Sequence, residues 1–183
     1  MPRFRTASLA GATAATLLLL PTAAYADDGS SARPRLAYAY SSDHLRDFDP
    51  ATVSPFDNAS ARVSMLGYRG SSFSFKLRGI DPSAAGESYG AHLHTGPCVA
   101  GEPATAGPHY NIDVVRGVTP VVASPKTEVW LDFTVGADGE ARSSTSIPFV
   151  PEAGQRAIVV HAEATASNGT AGARLACLPI TIH

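Results

Sequence analysis

Residues 72–80 read SFSFKLRGI, and polar and apolar side chains alternate along this stretch. Successive side chains of a β-strand point to opposite faces, so such alternation is typical of a strand with one buried face. Residues 61–66 (ARVSML) alternate in the same way, and residues 68–71 (YRGS) read as a hairpin turn between the two runs. This pair of segments predicts antiparallel strands joined by a tight turn.

The remainder of the chain repeats this pattern, and helix signals are scarce. Residues 137–140 contain Asp138-Gly139, a hairpin-turn signature, and 16 glycines and 14 prolines punctuate the chain. Further strands are expected at 128–135, 141–147, 156–162 and 175–182. Many short strands separated by turns predict an all-β fold, a single antiparallel β-sandwich or barrel.

The first residues have the pattern of an export signal. Arg3 and Arg5 precede a short apolar core at 17–20, and residues 24–26 (AYA) form a cleavage motif. Residues 1–26 are therefore predicted to be a signal peptide cleaved near Ala26, and the mature protein to be secreted or extracytoplasmic, in the cell envelope. An uncleaved anchor is the alternative, but the apolar stretch is short for a membrane span, and no later segment is long enough for one.

The mature chain is expected to hold one domain. Residues 27–60 are predicted to be an N-terminal extension, disordered in part, within which 36–40 (LAYAY) is either an extra strand or a partner-binding segment. Residues 61–183 are predicted to be the β-barrel domain. Without residues 1–26 the chain has 12 Lys and Arg against 16 Asp and Glu, a formal charge of −4. That charge argues against nucleic-acid binding.

Cys98 and Cys177 are the chain's two cysteines. An even pair in an exported protein predicts one disulfide. The alternative, two thiolate metal ligands, is disfavoured because neither cysteine lies in a C-x-x-C pair or beside a histidine. Residues 95–126 between the predicted strands form a long connection, and long loops in compact domains are usually functional.

Four of the six histidines are placed to share one metal ion. Residues 90–94 (GAHLH) carry His92 and His94, which point to the same face if the segment is a strand. His109 lies in the long connection, and His161 ends a buried run. Three or four imidazoles suit copper, zinc or nickel. The alternative is that these histidines are ordinary strand, core or loop residues.

These motifs, taken in order, resemble the copper/zinc superoxide dismutases. The resemblance covers about 90 residues and rests on GAHLH at 90–94, AGPHYN at 106–111, ADG at 137–139, VVH at 159–161 and AGARLAC at 171–177. It implies a Greek-key β-barrel with long metal-carrying loops, and one copper per chain bound by His92, His94, His109 and His161.

The resemblance also implies roles for single residues. His109 resembles the bridging histidine, which releases copper and carries a proton during turnover. Arg174 resembles the arginine that draws the superoxide anion to the metal. Cys98 and Cys177 match the family's disulfide, in agreement with the reading from cysteine count.

The zinc site of that family is missing from this sequence. No histidine occurs between Tyr110 and Val160, and Glu128 stands where the last zinc histidine is expected. The segment between His161 and Arg174 is short and carries a single charge. Both the missing zinc site and the short segment before Arg174 are similar to features of the copper-only dismutases. In those enzymes a carboxylate forms a hydrogen bond with the bridging histidine. Zinc is therefore predicted absent. Glu128 is the candidate carboxylate, and Asp132, on the same strand face, could serve instead.

Three functions remain open from the sequence. The favoured one is an exported enzyme that disproportionates superoxide to oxygen and hydrogen peroxide by Cu(II)/Cu(I) cycling. The second is a copper-binding or copper-buffering protein without turnover on the same fold. The third is a zinc-binding or metal-free domain whose histidines only connect loops. A copper donor as partner, and a monomeric or dimeric state, are left open.

Overall fold

The computed structural model describes Met1 and residues 36–183. The predicted signal peptide, except Met1, and residues 27–35 of the predicted extension lie outside the described residues. Among the described residues, no helix is long and apolar enough to cross a membrane. The strands in that part of the chain are β1 Ala37–His44, β2 Arg46–Asp47, β3 Ser60–Gly67, β4 Ser71–Arg78, β5 Ser88–Tyr89, β6 Ala91–His94, β7 Phe133–Thr134, β8 Ala141–Ile147, β9 Gly154–His161 and β10 Arg174–Ile182.

Two four-stranded sheets form an antiparallel β-sandwich, which confirms the predicted fold class. The first sheet has the order β1-β3-β4-β8 and the second β2-β10-β9-β6, while β5 and β7 form a small separate pair. Inward side chains of the first sheet, such as Phe73 and Phe75, share one buried core with Leu93, Ile158 and Leu178 of the second. Burying these apolar faces stabilises the sandwich by about 25 cal/mol for each Å² removed from water.

The hairpin predicted from residues 61–80 is present. β3 and β4 pair from Ser60↔Arg78 to Gly67↔Ser71, and the burial of both strands alternates residue by residue. Most apolar side chains face the core, and most serine and basic side chains face outward; Leu66 is an exposed exception and Ser71 a buried one. The alternation in the sequence thus reflects a hairpin with one buried and one exposed face.

The sandwich includes part of the segment that was expected to be an N-terminal extension. β1 pairs with β3 along its whole length, and Tyr38 exchanges two backbone hydrogen bonds with His183 at the end of β10. Ala37 and Ala39 are buried, while Tyr38 and Tyr40 are exposed. Residues 37–40 therefore belong to a strand, and the fold starts before residue 61.

The strand predicted at 128–135 is wrong for most of its length. Only Phe133–Thr134 lies in a strand, paired with β5, and the preceding residues make two isolated bridges, Asn111↔Glu128 and His92↔Trp130. The side chains still alternate, since Val129 and Leu131 are buried in the core. The alternating pattern reflects burial of one side of the segment. The segment pairs with a different part of the chain at each of these points, so it forms no continuous β-ladder.

The long connection at 95–126 contains helical turns that the sequence analysis did not predict. They are the 3₁₀ helix Pro103–Ala106 and the helix α1 Ile112–Arg116. The Asn111 side chain caps α1 by accepting from the Asp113 amide, and Gly117 ends it in the left-handed conformation. Five residues are too few to show a helical period, so the Asn and Gly caps were the available signal.

The predicted disulfide between Cys98 and Cys177 is confirmed. It joins the long connection to β10, across a sequence separation of 79 residues. Both sulfurs are buried in a small apolar cluster with Phe48, Ala106 and Val159. The connection that carries His109 is thereby fastened to the second sheet.

Candidate metal centre

Four histidines from three parts of the chain meet at one edge of the second sheet. β6 supplies His92 and His94, β9 ends at His161, and β6 and β9 are paired neighbours. An isolated bridge between His94 and His109 brings the long connection to the same place. One ring nitrogen of each histidine lies within 4.8 Å of those of the other three. The structure therefore brings all four predicted ligands together as a group that could hold a metal ion.

The nitrogens that face the centre of this cluster can be identified. His92 Nδ1 lies 3.0 Å from His109 Nε2, and His94 Nε2 lies 3.2 Å from His161 Nε2. His92 thus presents Nδ1 inward, whereas the other three present Nε2.

The ring nitrogen of each histidine that faces away from the centre of the cluster lies next to an oxygen acceptor. The pairs are His92 Nε2 with Thr165 Oγ1 at 2.7 Å, His94 Nδ1 with Gly107 O at 2.9 Å, His109 Nδ1 with Glu128 Oε2 at 3.0 Å and His161 Nδ1 with Gly172 O at 3.3 Å. Since the N–H of a neutral imidazole donates to such an acceptor, the lone pair is left on the inward nitrogen. Four inward lone pairs converging on one point fit a metal ion.

Burial keeps three of these rings, those of His92, His94 and His161, neutral. Loss of solvation is the largest cause in each case, and it lowers the pKa of His92 and His94 to about 2 and that of His161 to about 4. The neighbouring histidines lower the pKa of His92 further. Neutral imidazole is the form that binds a metal, so these side chains need lose no proton at neutral pH.

Glu128 is the carboxylate that holds His109. Its Oε2 accepts from His109 Nδ1 and, at 2.9 Å, from Trp130 Nε1, while its Oε1 accepts from Asn111 Nδ2 at 3.0 Å. Burial raises the pKa of Glu128, but these hydrogen bonds outweigh it and the pKa is lowered overall. The carboxylate is therefore ionised, and its oxygens are occupied by three donors. That arrangement suits orientation of His109 rather than coordination of a second metal.

Asp132 lies on the other side of the cluster, next to His92. Its Oδ1 is 3.7 Å from His92 Nε2, and the closer contact runs through Thr165, whose hydroxyl donates to Asp132 Oδ1 at 2.7 Å. The Thr165 amide donates to Asp132 Oδ2 at 3.0 Å. Of the two predicted carboxylates, then, Glu128 contacts His109 and Asp132 supports His92. Thr165 was not predictable as a site residue, because it belongs to no motif and lies 33 residues from Asp132 in the sequence.

Arg174 stands at the start of β10, opposite His161, where a bulge interrupts the pairing of β10 with β9. Its guanidinium donates to the carbonyls of Pro103 and Gly107, the second at 2.6 Å. The Gly107 carbonyl is also the acceptor for His94. Arg174 therefore fastens the long connection beside the cluster, and it remains partly exposed.

The comparisons with known proteins bear on the fold. No family model matches the chain, and no curated protein matches it. Among the solved structures it resembles is the crystal structure of the clock protein EA4, with a TM-score of 0.54 and 17% sequence identity. The match covers 81% of this chain and 95% of that one. Similarity at this identity supports the all-β fold and leaves the activity to be argued from the site.

Proposed function

We propose that this protein is a copper-dependent superoxide dismutase that works without zinc. The observation that carries the proposal is the convergence of four imidazole ring nitrogens, each with the opposite nitrogen of its ring next to an oxygen. A donor set of imidazoles alone, with no carboxylate or thiolate among the ligands, favours redox-active copper over structural zinc. His92, His94, His109 and His161 would hold one copper per chain.

Copper in this position would supply one-electron chemistry, oxidising one superoxide to oxygen and reducing the next to hydrogen peroxide. His109 is the ligand best placed to handle protons. Its side chain is 19% exposed, whereas that of His92 is fully buried, and its Nδ1 is held by Glu128. With that bond kept, His109 can hold a proton at Nε2 and pass it toward the substrate. The cationic Arg174 beside the cluster would attract the superoxide anion.

A second function is supported by a specific observation. Arg174 donates two hydrogen bonds to backbone carbonyls of the long connection. The segment 162–173 next to it contains a single charged residue, Glu163. An arginine that only fastens a loop, without guiding an anion, would suit a protein that binds or buffers copper without turnover. The two functions share the ligands and differ in catalysis.

Metal content and superoxide consumption measured on the same samples would distinguish these functions. The protein is loaded separately with copper and with zinc. We expect one copper per chain, no tight zinc, and turnover well above that of free copper. His109→Ala should abolish turnover, whereas His44→Ala, at an exposed histidine outside the cluster, should not change it.

Two other outcomes would overturn the proposal. One copper per chain with no turnover above free copper would identify a copper-binding protein. Tight zinc binding by the four histidines would show that the preference argued from the donor set is wrong.

A further inference from the structure

A row of basic side chains crosses the outer face of the first sheet. Arg62 of β3 is paired with Lys76 of β4, and Lys76 is paired with Arg142 of β8. All three are exposed, as is Arg78, two residues along β4 from Lys76. Neighbouring strands lie about 4.8 Å apart, so the three paired residues start from backbone positions spanning about 10 Å.

Repulsion between the basic side chains of this row lowers the stability of the sheet. Like charges at directly paired positions of adjacent strands repel one another. Glu140 relieves part of the repulsion, at 3.3 Å from Arg78 and 3.5 Å from Arg142. Within residues 36–183, neither Arg62 nor Lys76 forms an ion pair. An external anion on this row would remove the repulsion that the fold leaves in place.

The location of these charges is unusual for the chain as a whole. The formal net charge is −2, yet four of its 14 Lys and Arg lie on this one face. Serines 42 and 60 join Arg62, Lys76 and Arg78 in lining a shallow depression of about 180 Å³. The depression therefore offers cations and hydroxyl groups to a ligand, and the chain's excess of acidic residues lies elsewhere.

The same face continues into an aromatic and hydroxyl surface. In the next row, Tyr40 of β1 is paired with Ser64, which is followed by Ser74 and Ser144 on the neighbouring strands. Tyr40 is 62% exposed, so much of its side chain is open to solvent. Exposed tyrosine rings pack against the apolar faces of sugar rings, and serine hydroxyls bond to sugar hydroxyls. A simple inorganic anion would use only the basic row.

We propose that this face binds an anionic polysaccharide. Its acidic groups would lie on Arg62, Lys76 and Arg142, and its sugar rings would extend over Tyr40 and the serines. The cluster of four histidines lies on the other sheet and its loops, so this binding is separate from the metal centre. The consequence would be retention of the protein on an acidic glycan while the copper site remains free.

Binding of dextran sulfate by the purified protein, measured by titration at several salt concentrations, tests this inference. The informative variant is Arg62→Ser/Lys76→Ser. Its matched control, Arg116→Ser/Lys126→Ser, makes the same change in net charge outside the first sheet. We expect the first variant to weaken binding by about tenfold and to lower the slope of log affinity against log salt by about two, and the control to change neither.

Stability and sugar contact supply independent readouts. Since the row is repulsive, Arg62→Ser/Lys76→Ser should melt at the same temperature as the parent protein or higher. Tyr40→Ser should weaken binding of dextran sulfate but not of inorganic polyphosphate, which has charge and no sugar. Neutral dextran should not bind.

Three results would overturn the inference. The first is an equal loss of binding in the two double variants, which would show that net charge alone matters. The second is binding of polyphosphate or duplex DNA as tight as that of dextran sulfate, which would remove the role of the sugar. The third is the absence of dextran sulfate binding at 50 mM salt, since electrostatic attraction is strong at that concentration.

Discussion

At the scale of single residues, the outward nitrogen of each histidine matters as much as the inward one. His94 and His161 are held by the backbone carbonyls of Gly107 and Gly172, which side-chain substitution cannot remove. His92 and His109 are held by side chains, Thr165 and Glu128. These two acceptors are therefore where the orientation of the rings can be tested by mutation.

Replacing Glu128 by glutamine should weaken copper binding. The glutamine has no negative charge and would turn an amide NH₂ toward at least one of the three donors that now bond to the carboxylate, so the hydrogen bond that holds His109 would weaken. Loss of such a supporting contact typically lowers metal affinity by about 10- to 100-fold. Competition with a copper chelator measures the affinity, and Glu87→Gln, at an exposed carboxylate, is the control. An unchanged affinity would argue against a role for Glu128 in orienting His109.

Thr165→Val should also weaken copper binding, by about tenfold, because valine has the same shape and no acceptor for His92 Nε2. Thr165→Ser keeps the hydroxyl and should retain the affinity of the parent protein. Nitrogen NMR shifts of the histidine rings supply the second measurement. In the valine variant the His92 signals should report a mixture of tautomers. Equal affinities in the two variants would mean that the Thr165 hydroxyl does not orient His92.

The metal-free protein should lose stability in acid from about pH 6.5 downward. In the unfolded chain each histidine takes up a proton near pH 6.5. In the folded protein the pKa of His92 and His94 is lowered to about 2 and that of His161 to about 4. The unfolded state therefore binds more protons between these values, and stability rises with pH across this window. Each histidine contributes up to about 1.4 kcal/mol per pH unit.

Denaturant unfolding at pH 8, 7, 6 and 5 tests this dependence. The free energy of unfolding should be constant between pH 8 and 7 and should fall below pH 6.5. His161→Gln should show a shallower fall, since one of the groups no longer titrates. A free energy that does not change from pH 8 to pH 5 would contradict the expected linkage.

At the scale of elements, the long connection that carries His109 is fastened to β10. The disulfide joins Cys98 to Cys177, and Arg174, three residues before Cys177, bonds to the carbonyls of Pro103 and Gly107. The strand thus holds the connection at three points. Thr95, at the beginning of the connection, donates its amide to the carbonyl of Pro108, next to His109.

Replacing both Cys98 and Cys177 by serine should reduce stability and copper affinity together. The chain-entropy model assigns about 4–5 kcal/mol to a disulfide that closes a loop of roughly 80 residues. Without it, the connection that carries His109 is held to β10 only by the hydrogen bonds of Arg174. Chemical denaturation measures the stability, and chelator competition in a folded sample measures the affinity. Copper affinity equal to that of the parent protein would contradict the view that the disulfide positions His109.

The elements also show what the sequence could and could not predict. The hairpin of β3 and β4 was predictable because each strand has one buried and one exposed face, which fixes a period of two. The segment 128–135 has the same period and forms a strand only at Phe133–Thr134, because periodicity records burial and not the presence of a pairing partner. Helix α1 is too short to show its period.

The residues of the candidate site were likewise predictable only in part. Its four histidines were predictable from their spacing and from the order of the motifs around them, and the structure brings them together. The choice between Glu128 and Asp132 was not predictable, since both lie on one face of the segment. It depends on which loop packs beside each carboxylate, and for Asp132 that is the segment containing Thr165.

At the scale of the whole molecule, copper binding should stabilise the fold, since the ligands come from distant parts of the chain. A ligand that binds only the folded state at 1,000 times its dissociation constant adds about 4 kcal/mol. For a domain of this size that corresponds to a rise in melting temperature of roughly 10 °C. Circular dichroism melts with and without copper measure the shift.

The control variants for this shift are histidine substitutions. His94→Ala should lose most of the copper-dependent rise, and His44→Ala should keep it. A rise of the same size with zinc would contradict the expected preference for copper.

The position of Trp130 gives the molecule its own optical reporter. It is the single tryptophan of the chain, its ring centre lies 6.0 Å from that of His92, and its indole N–H donates to Glu128. Paramagnetic Cu(II) quenches indole emission strongly at such short range, and Cu(I) quenches it less. The emission of the unlabelled protein should therefore fall as copper enters and recover in part on reduction. One fluorescence trace would then follow both occupancy and oxidation state in real time.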